Sequence, residues 1–281
     1  MVQLRRQCWR YAVVVLTSLG IIVVEGQASV SASDLIIEHT KPQRSVPRHY
    51  QYHQAQPNPK AFGQMTWIGA QITGKDWAIY SGTSTALSGS INDAGWRMRV
   101  IAGYSSYSYS SMRRIRGQSM GVTYQGENGF GDVWLGYQWQ TGDLTLKMFA
   151  GVNAVGHIVT PFDPENSTIG NRYGGSAALE AWFSLSDRLW LSTDTKYATA
   201  SDSFHITLTA GYRVWPKFSL GIAVNGSGNE DHQAARMAGV AAAELGLFEA
   251  NDSYLRFSAG VSADRDMELN PYTAVSFTLK Y

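Results

Sequence analysis

The sequence has a single cysteine, few charged residues and no long apolar run after its first 24 residues. Because Cys8 stands alone, the chain has no cysteine pair for an internal disulfide or a cysteine-rich metal site. Charged residues make up 16% of the chain and the formal net charge is +1, which gives no reason to propose nucleic acid as a partner. A membrane-spanning helix needs about 20 consecutive apolar residues, so the missing run excludes a helical membrane protein.

The amino-terminal 32 residues have the features of a secretory signal peptide. A start that contains three arginines precedes an apolar run, 11–24, that is too short to cross a membrane as a helix. Small residues follow the run and allow cleavage after Ala28 or, as we prefer, after Ala32. We therefore predict that residues 1–32 are removed on secretion, and Cys8 with them.

The next segment, 33–63, is rich in proline and polar residues and has neither helical nor strand periodicity. Such a composition predicts a flexible polar extension. From residue 64 to Tyr281 the pattern changes to two-residue alternation in segments separated by turn residues. This alternation is the sequence signature of a transmembrane β-barrel, which we assign to residues 64–281.

The alternation is clearest between Ser203 and Trp215. One face is apolar throughout, while the other carries His205, Thr207, Thr209, Gly211 and Arg213. A soluble β-sandwich also alternates, because one face of each sheet meets water. Here, however, the polar face is rich in Gly, Ser, Thr and Ala with isolated charges, which suits a confined lumen better than a solvated surface.

Counting strands back from Tyr281 predicts an all-β, antiparallel, up-and-down transmembrane barrel of about twelve strands, with 10 to 14 possible. Residues 64–88 form either one bent strand or two. The predicted strands are 64–88, 95–109, 112–126, 129–140, 143–156, 171–184, 187–200, 203–215, 217–226, 234–247, 252–264 and 271–281.

With both barrel termini in the periplasm, the short turns fall at the periplasmic end and the longest connection, 157–170, faces outward, as such barrels prefer. Many aromatic residues also fall near the periplasmic ends of the strands, where an interfacial girdle is expected. They are Trp139, Trp182, Phe183, Trp190, Trp215, Phe218, Phe248 and Tyr281.

Several segments together resemble the cellulose biosynthesis protein BcsS family of alphaproteobacteria. They are Gly95-Trp96-Arg97-Met98-Arg99, Val133-Trp134-Leu135-Gly136-Tyr137-Gln138-Trp139, Leu179-Glu180-Ala181-Trp182 and the stretch 211–221. The resemblance extends from about Trp77 to Tyr281 and consists of strand-and-turn patterns, with no catalytic residues to carry over. It implies an accessory protein of cellulose synthesis and secretion in the outer membrane of a Gram-negative bacterium.

The polar faces carry charges that we predict to share the lumen and to neutralise one another, since a charge in a narrow barrel needs a partner. These candidate lumen charges are Arg97, Arg99, Asp132, Lys147, Glu180, Asp194, Lys196, Arg213, Glu244 and Arg256. Trp134 shares a face with Asp132 and Gln138. Because flat sugar faces stack on aromatic rings, Trp134 is the candidate glucan contact.

We therefore expect a non-enzymatic barrel that acts as a pore or a docking element, with no cofactor, metal or catalytic residues. Its expected partners are outer-membrane lipid and either the cellulose export machinery or the glucan chain. One alternative is a lipid- or glycan-modifying barrel enzyme that uses His205 with Ser203. The other alternative is a generic small-solute channel.

Overall fold

The computed structural model describes residues 62–115, 118–229, 233–246, 252–264 and 268–281. The predicted signal peptide and nearly all of the predicted extension lie outside these residues. Within them no helix is long and apolar enough to cross a membrane. The strands are β1 (Gln64–Ile72), β2 (Asp76–Ala86), β3 (Gly95–Ile115), β4 (Gln118–Thr141), β5 (Leu144–Thr160), β6 (Gly170–Ser184), β7 (Leu189–Ala198), β8 (Ser203–Trp215), β9 (Phe218–Gly228), β10 (Gln233–Glu244), β11 (Asp252–Asp264) and β12 (Leu269–Lys280).

Each strand pairs antiparallel with its neighbours in sequence, and β1 pairs with β12 from Met65–Lys280 to Ile72–Thr273. The sheet is therefore a closed twelve-stranded barrel, and the predicted fold class is confirmed. Closure removes both sheet edges, so every strand has one face toward the lumen and one toward the outside.

The predicted total of twelve strands is right, although the strand boundaries differ from the predicted ones in two places. The segment 64–88 is two strands, because Thr73 Oγ1 accepts hydrogen bonds from the Lys75 and Asp76 amides and forms a tight turn. The predicted segments 112–126 and 129–140 are not two separate strands, because residues 112–115 end β3 and the rest, from Gln118 onward, form the single strand β4. Its Gly126–Gly129 stretch has the composition of a turn but stays in register with both neighbours. From β5 onward the strands lie close to their predicted positions.

The outer surface carries the apolar side chains of each strand. On β8, Leu208 is 42% exposed while Thr207 and Thr209 are buried in the lumen. The same alternation continues through β9, where Ile222 faces outward and Ala223 faces inward. The barrel therefore has an apolar belt outside and a polar, largely buried face inside.

The two ends of the barrel differ. The end at which Gln64 hydrogen-bonds with Tyr281, here called the terminal end, also has the short turns at 142–143 and 216–217. The opposite end carries the connection 161–169, which is shorter than the predicted 157–170 because β5 continues to Thr160.

At the opposite end, the hairpin of β3 and β4 is longer than the strands around it. The outer face of β3 is apolar from Trp96 to Tyr104 and then changes to Ser106, Ser108 and Ser110. The hairpin therefore extends beyond the apolar belt.

The aromatic girdle at the terminal end needs one correction. Trp139, Phe183, Trp215 and Tyr281 are exposed on the outer surface, in the predicted place, and Phe218 packs against Trp215. Trp182 and Trp190 instead stack on each other in the lumen, with their ring centroids 4.3 Å apart. Strand alternation explains the difference, because Trp182 directly precedes the outward-facing Phe183 and must point the other way. Phe248 lies outside the described residues.

Most of the large lumen rings lie against a glycine directly across the strand pair. Each glycine leaves room for the ring to lie flat on the wall, an arrangement that pins strand register. The pairs are Gly69–Tyr80, Gly82–Trp67, Gly103–Phe130, Gly126–Tyr107, Gly136–Phe149, Gly151–Trp134 and Gly211–Trp190.

Replacing one of these glycines by alanine should destabilise the barrel. A Cβ at Gly211 would lie 2.0 Å from Cζ2 of Trp190, so Gly211→Ala forces the buried ring to move and should cost about 1–3 kcal/mol. The matched control is Gly239→Ala, where the nearest atom is 3.8 Å away. Urea titration of the refolded barrel measures both, and equal stabilities would contradict this account of the pairs.

The outer belt makes a second prediction. An arginine in place of Leu208, near the middle of β8, should cost about 2–4 kcal/mol in a lipid bilayer. Gln125→Arg, on the exposed face of β4 beyond the belt, should be close to neutral. Folding into vesicles, followed by heat-dependent gel migration, reports both variants. A neutral Leu208→Arg would show that this surface does not face lipid.

Candidate functional site: the packed lumen

One group of lumen charges joins three strands. The Arg99 guanidinium on β3 makes a two-pronged ion pair with the Glu180 carboxylate on β6, and the second of its contacts is 3.2 Å long. Lys147 Nζ on β5 lies 3.6 Å from the same carboxylate. Arg99 also lies 3.9 Å from the centre of the Phe149 ring. Since all three charged residues are buried, this group is part of the packed interior.

A second group lies around Asp132 on β4. Lys196 Nζ on β7 is 2.5 Å from Asp132 Oδ2, while Asn153 and Ser176 donate hydrogen bonds to Oδ1. Asp132 is only 1% exposed, and these three donors offset the cost of burying its charge. The group links four strands across the inside of the barrel.

Trp134 belongs to this second group. Its indole N–H donates to Ser176 Oγ at 2.6 Å, its ring packs against Phe149, and Lys196 Nζ lies 5.4 Å from the ring centre. The side chain is 3% exposed. A glucan chain would have to displace neighbouring side chains to reach this ring, so a role in glucan contact stays a prediction.

The other side of the lumen is lined by a polar network around Asn225. Its amide donates to Thr207 Oγ1 at 2.8 Å and contacts His205 Nε2 at 2.9 Å, while Arg236 donates to its carbonyl oxygen at 3.3 Å. Arg236 also lies 3.8 Å from Asp76 on β2. The network therefore connects β8, β9 and β10 to the far wall.

His205 is the histidine that the enzyme alternative requires. It is 2% exposed and hydrogen-bonds with Thr207 as well as Asn225. Ser203 lies on the same face near the opposite end of the barrel. His205 thus lies inside the packed lumen and not at the lipid surface where a lipid substrate would bind.

The terminal end of the lumen is covered by the connection 87–94 between β2 and β3. Arg97 fixes this connection by donating to the carbonyl oxygens of Ser90, Ile91 and Asp93. Ile91 is 2% exposed and packs in the apolar cluster that includes Trp67. Lys280 donates to Asn92 at 2.9 Å, so the last strand also holds the connection in place. We call residues 87–94 the plug.

The remaining candidate charges lie in different places. Asp194 is buried beside Glu180 and Lys147, and Arg256 is buried and donates to Thr209. Arg213 and Glu244 are partly exposed at the terminal rim, where Arg213 donates to the Asp187 carbonyl oxygen and Glu244 pairs with Lys217 at 3.8 Å. These two rim residues do not join the buried groups.

A network at the opposite end was not found from the sequence. His157 hydrogen-bonds with Tyr107 at 2.7 Å and Thr168 at 2.8 Å. Tyr109 donates to Asp163 at 2.6 Å and thereby holds the connection 161–169 against the barrel wall. The Tyr-Ser alternation at 107–110 was the available signal, since it places Tyr107 and Tyr109 on one face of β3.

These contacts close the lumen through its middle. Charged side chains in a water-filled pore are hydrated, whereas Arg97, Arg99, Asp132, Glu180 and Arg236 are each at most 6% exposed. Two of the cavities between lumen side chains hold only about 20 Å³ and 10 Å³. In the part of the chain that is described, no cluster of three or more His, Cys, Asp or Glu side chains is suited to a metal ion.

Fold and lumen together define a β-barrel with an apolar outer belt and a packed, charge-paired interior. The model of the family described as "Cellulose biosynthesis protein BcsS" matches residues 65–281, which are nearly the whole barrel. The chain therefore belongs to this family. None of the curated proteins matches the chain.

Solved structures with a similar shape are bacterial barrels. The KdgM porin is 7% identical, covering 77% of this chain and 99% of its own, with a TM-score of 0.45. The transport unit of the autotransporter AIDA-I from Escherichia coli is 10% identical, covering 82% and 93%, with a TM-score of 0.46. The β domain of the Bordetella autotransporter BrkA is 12% identical, covering 79% and 100%, with a TM-score of 0.45. At these values the likenesses say nothing about function.

The shared carboxylate of Glu180 predicts a large effect on stability. Glu180→Leu removes the partner of a buried guanidinium and should cost about 3–5 kcal/mol. The double variant Arg99→Leu/Glu180→Leu should lose less than the single variant, because no unmatched guanidinium remains. Glu127→Gln, on the exposed face of β4, is the control and should change little. Urea unfolding of wild type, Arg99→Leu, Glu180→Leu and the double variant gives the coupling, and a double variant that is less stable than Glu180→Leu would contradict the assignment.

Proposed function

We propose that this protein is a non-enzymatic accessory barrel of bacterial cellulose secretion, located in the outer membrane and acting as a docking element for the export machinery. The observation that carries the proposal is the packed lumen. Membership of the family supports the link to cellulose secretion, and the packed lumen favours docking over permeation.

The proposed location is supported by the apolar belt and by the signal peptide predicted at residues 1–32. A closed barrel satisfies all strand hydrogen bonds internally, and for that reason it tolerates hydrocarbon around it. The terminal end then faces the periplasm, because outer-membrane barrels keep their short turns and both termini on that side. The long hairpin of β3 and β4 projects to the cell exterior.

Docking is favoured over an open pore by the two buried charge groups and the plug. Opening a path for a glucan chain would separate Arg99 from Glu180 and Lys196 from Asp132, at a cost of several kcal/mol for each unmatched buried charge. The periplasmic rim stays accessible, with Arg213, Glu244 and Lys217 partly exposed to a partner.

A non-enzymatic role is supported by how the lumen carboxylates are used. Asp132 is paired with Lys196 and Glu180 with Arg99, as expected for structural charges. The acid and nucleophile carboxylates of a glycosidase instead face a substrate cleft. His205 is held by Thr207 and Asn225 within the interior.

The decisive experiment locks the plug in living cells. Asn92→Cys with Lys280→Cys places two thiols where the plug meets β12, and a short thiol-reactive cross-linker joins them. Docking with a closed lumen predicts unchanged extracellular cellulose after cross-linking, measured relative to barrel abundance in the outer membrane. Each single cysteine variant, treated with the same reagent, is the control.

Two outcomes would overturn the proposal. Loss of cellulose on cross-linking, with the single variants unaffected, would mean that the plug must open and that the barrel is a pore. Unchanged cellulose in a strain that lacks the whole barrel would remove the link to secretion and leave the small-solute channel. Planar-bilayer recordings of the wild-type barrel should accordingly show no steady open-pore conductance.

A further inference from the structure

We propose that the opposite mouth of the barrel contains a binding subsite for a short stretch of an uncharged saccharide chain. The inference deepens the proposed function and rests on it, since the mouth must face the cell exterior, where secreted glucan is present. It places glucan contact at Tyr107 and Tyr109 and not at the buried Trp134.

The subsite is a cavity of about 320 Å³ above the packed lumen. Tyr107 and Tyr109 of β3 line it together with Asp76, Asp264 and Asn270 from β2, β11 and β12. The pairing of Asp76 with Arg236 connects the base of the cavity to the closed interior. A ligand therefore enters from outside and does not pass through.

The aromatic wall is rigid. Tyr109 stacks on Tyr124 with ring centroids 5.1 Å apart, and Tyr107 stacks on both Tyr109 and His157. The Tyr109 hydroxyl is fixed by Asp163 and the Tyr107 hydroxyl by His157. Because these rings are already ordered, a ligand that stacks on them loses little side-chain entropy in the protein.

Such a wall suits a sugar ring. The C–H groups on the flat face of a β-linked glucose unit carry partial positive charge, and they pack on the electron-rich face of an aromatic ring. Tyr107 and Tyr109 remain half-buried, whereas Tyr124 behind them is 2% exposed. The two outer tyrosines thus present ring surface that the inner one does not.

The other lining residues supply partners for sugar hydroxyls. Asp264 and Asn270 carry oxygens that accept hydrogen bonds from O–H donors, and the Asn270 amide also donates. The mixture of one aromatic wall with several polar groups is typical of small-molecule sites, in which polar atoms set the orientation.

The charges at the mouth favour an uncharged chain. Lys75 lies 3.8 Å from Asp264 and pairs closely with Glu268, and Asp76 is matched by Arg236. Three carboxylates thus stand against two cations. An anionic polysaccharide would be repelled by these carboxylates, because the mouth has no surplus of positive charge. The hydroxyl groups of an uncharged saccharide can instead donate hydrogen bonds to the same carboxylates.

The size of the cavity limits the ligand. Its volume is near the lower end of the range for small-molecule sites, roughly 300–1,000 Å³, so it holds a few sugar units of a longer chain. Affinity from so small a contact is modest, with an expected Kd of about 1 mM for an oligosaccharide.

The test is calorimetric titration of the detergent-solubilised full barrel with cellohexaose and, separately, with a galacturonate hexamer. Wild type should bind cellohexaose and bind the charged hexamer at least about tenfold more weakly. Tyr107→Ala should weaken cellohexaose binding about tenfold, whereas Tyr107→Phe, which keeps the ring, should stay within about threefold of wild type. Tyr173→Ala, which removes an exposed tyrosine from the outer face of β6, is the matched control and should bind like wild type.

Asp264→Asn provides a second variant that preserves side-chain shape. It should weaken binding about fivefold, and it keeps the test valid if Tyr107→Ala fails to show heat-dependent gel migration. The proposal is overturned if wild type does not bind cellohexaose, if both hexamers bind equally, or if Tyr107→Phe is as damaging as Tyr107→Ala. Absent binding, combined with cellulose output that still depends on the barrel, would reject this subsite and leave the docking function intact.

Discussion

The structure depends on one electrostatic constraint, which is that a charge enclosed by a barrel wall must find a counter-charge or hydrogen-bond acceptors inside. Side chains fill the space that the twelve strands enclose, and they include charged groups of both signs as well as aromatic rings. Arg99 and Lys147 share the Glu180 carboxylate, beside which Asp194 is also buried, and Asp132 pairs with Lys196. The cost of separating these pairs keeps the lumen closed, and the docking proposal follows from that closure.

The fold was predictable because alternation with a period of two is local. Leu208 and Thr209 need opposite environments, and only a sheet with two distinct faces provides them. Strand boundaries were less predictable where composition and pairing disagree. Gly126–Gly129 resembles a turn, yet long-range pairing with β3 and β5 keeps it extended. At Thr73 the composition allowed a continuous strand, but the Thr73 hydroxyl accepts two backbone hydrogen bonds and forms a turn.

Site residues were predicted to the correct face more readily than to the correct partner. Period two is enough to place Trp134 and Asp132 in the lumen, but the contacts of Trp134 with Ser176 and Lys196 depend on strands β6 and β7. The plug could not be predicted for the same reason. It is a connection without periodicity, and Arg97 holds it through backbone carbonyl oxygens. Composition carries no information about such contacts between distant strands.

The unequal heights of the strands give the outer mouth a direction. β2 begins at Asp76, opposite Tyr107, whereas β3 continues to Ile115, so the rim is low on one side and high on the other. A rim of this shape is open on the side where β2 begins, and the tall hairpin of β3 and β4 forms the opposite side of the mouth. In the proposed orientation, a polymer that lies along the cell surface reaches Tyr107 and Tyr109 from the low side, whereas one that approaches from above first meets the upper part of the hairpin, which carries Arg113 and Arg114.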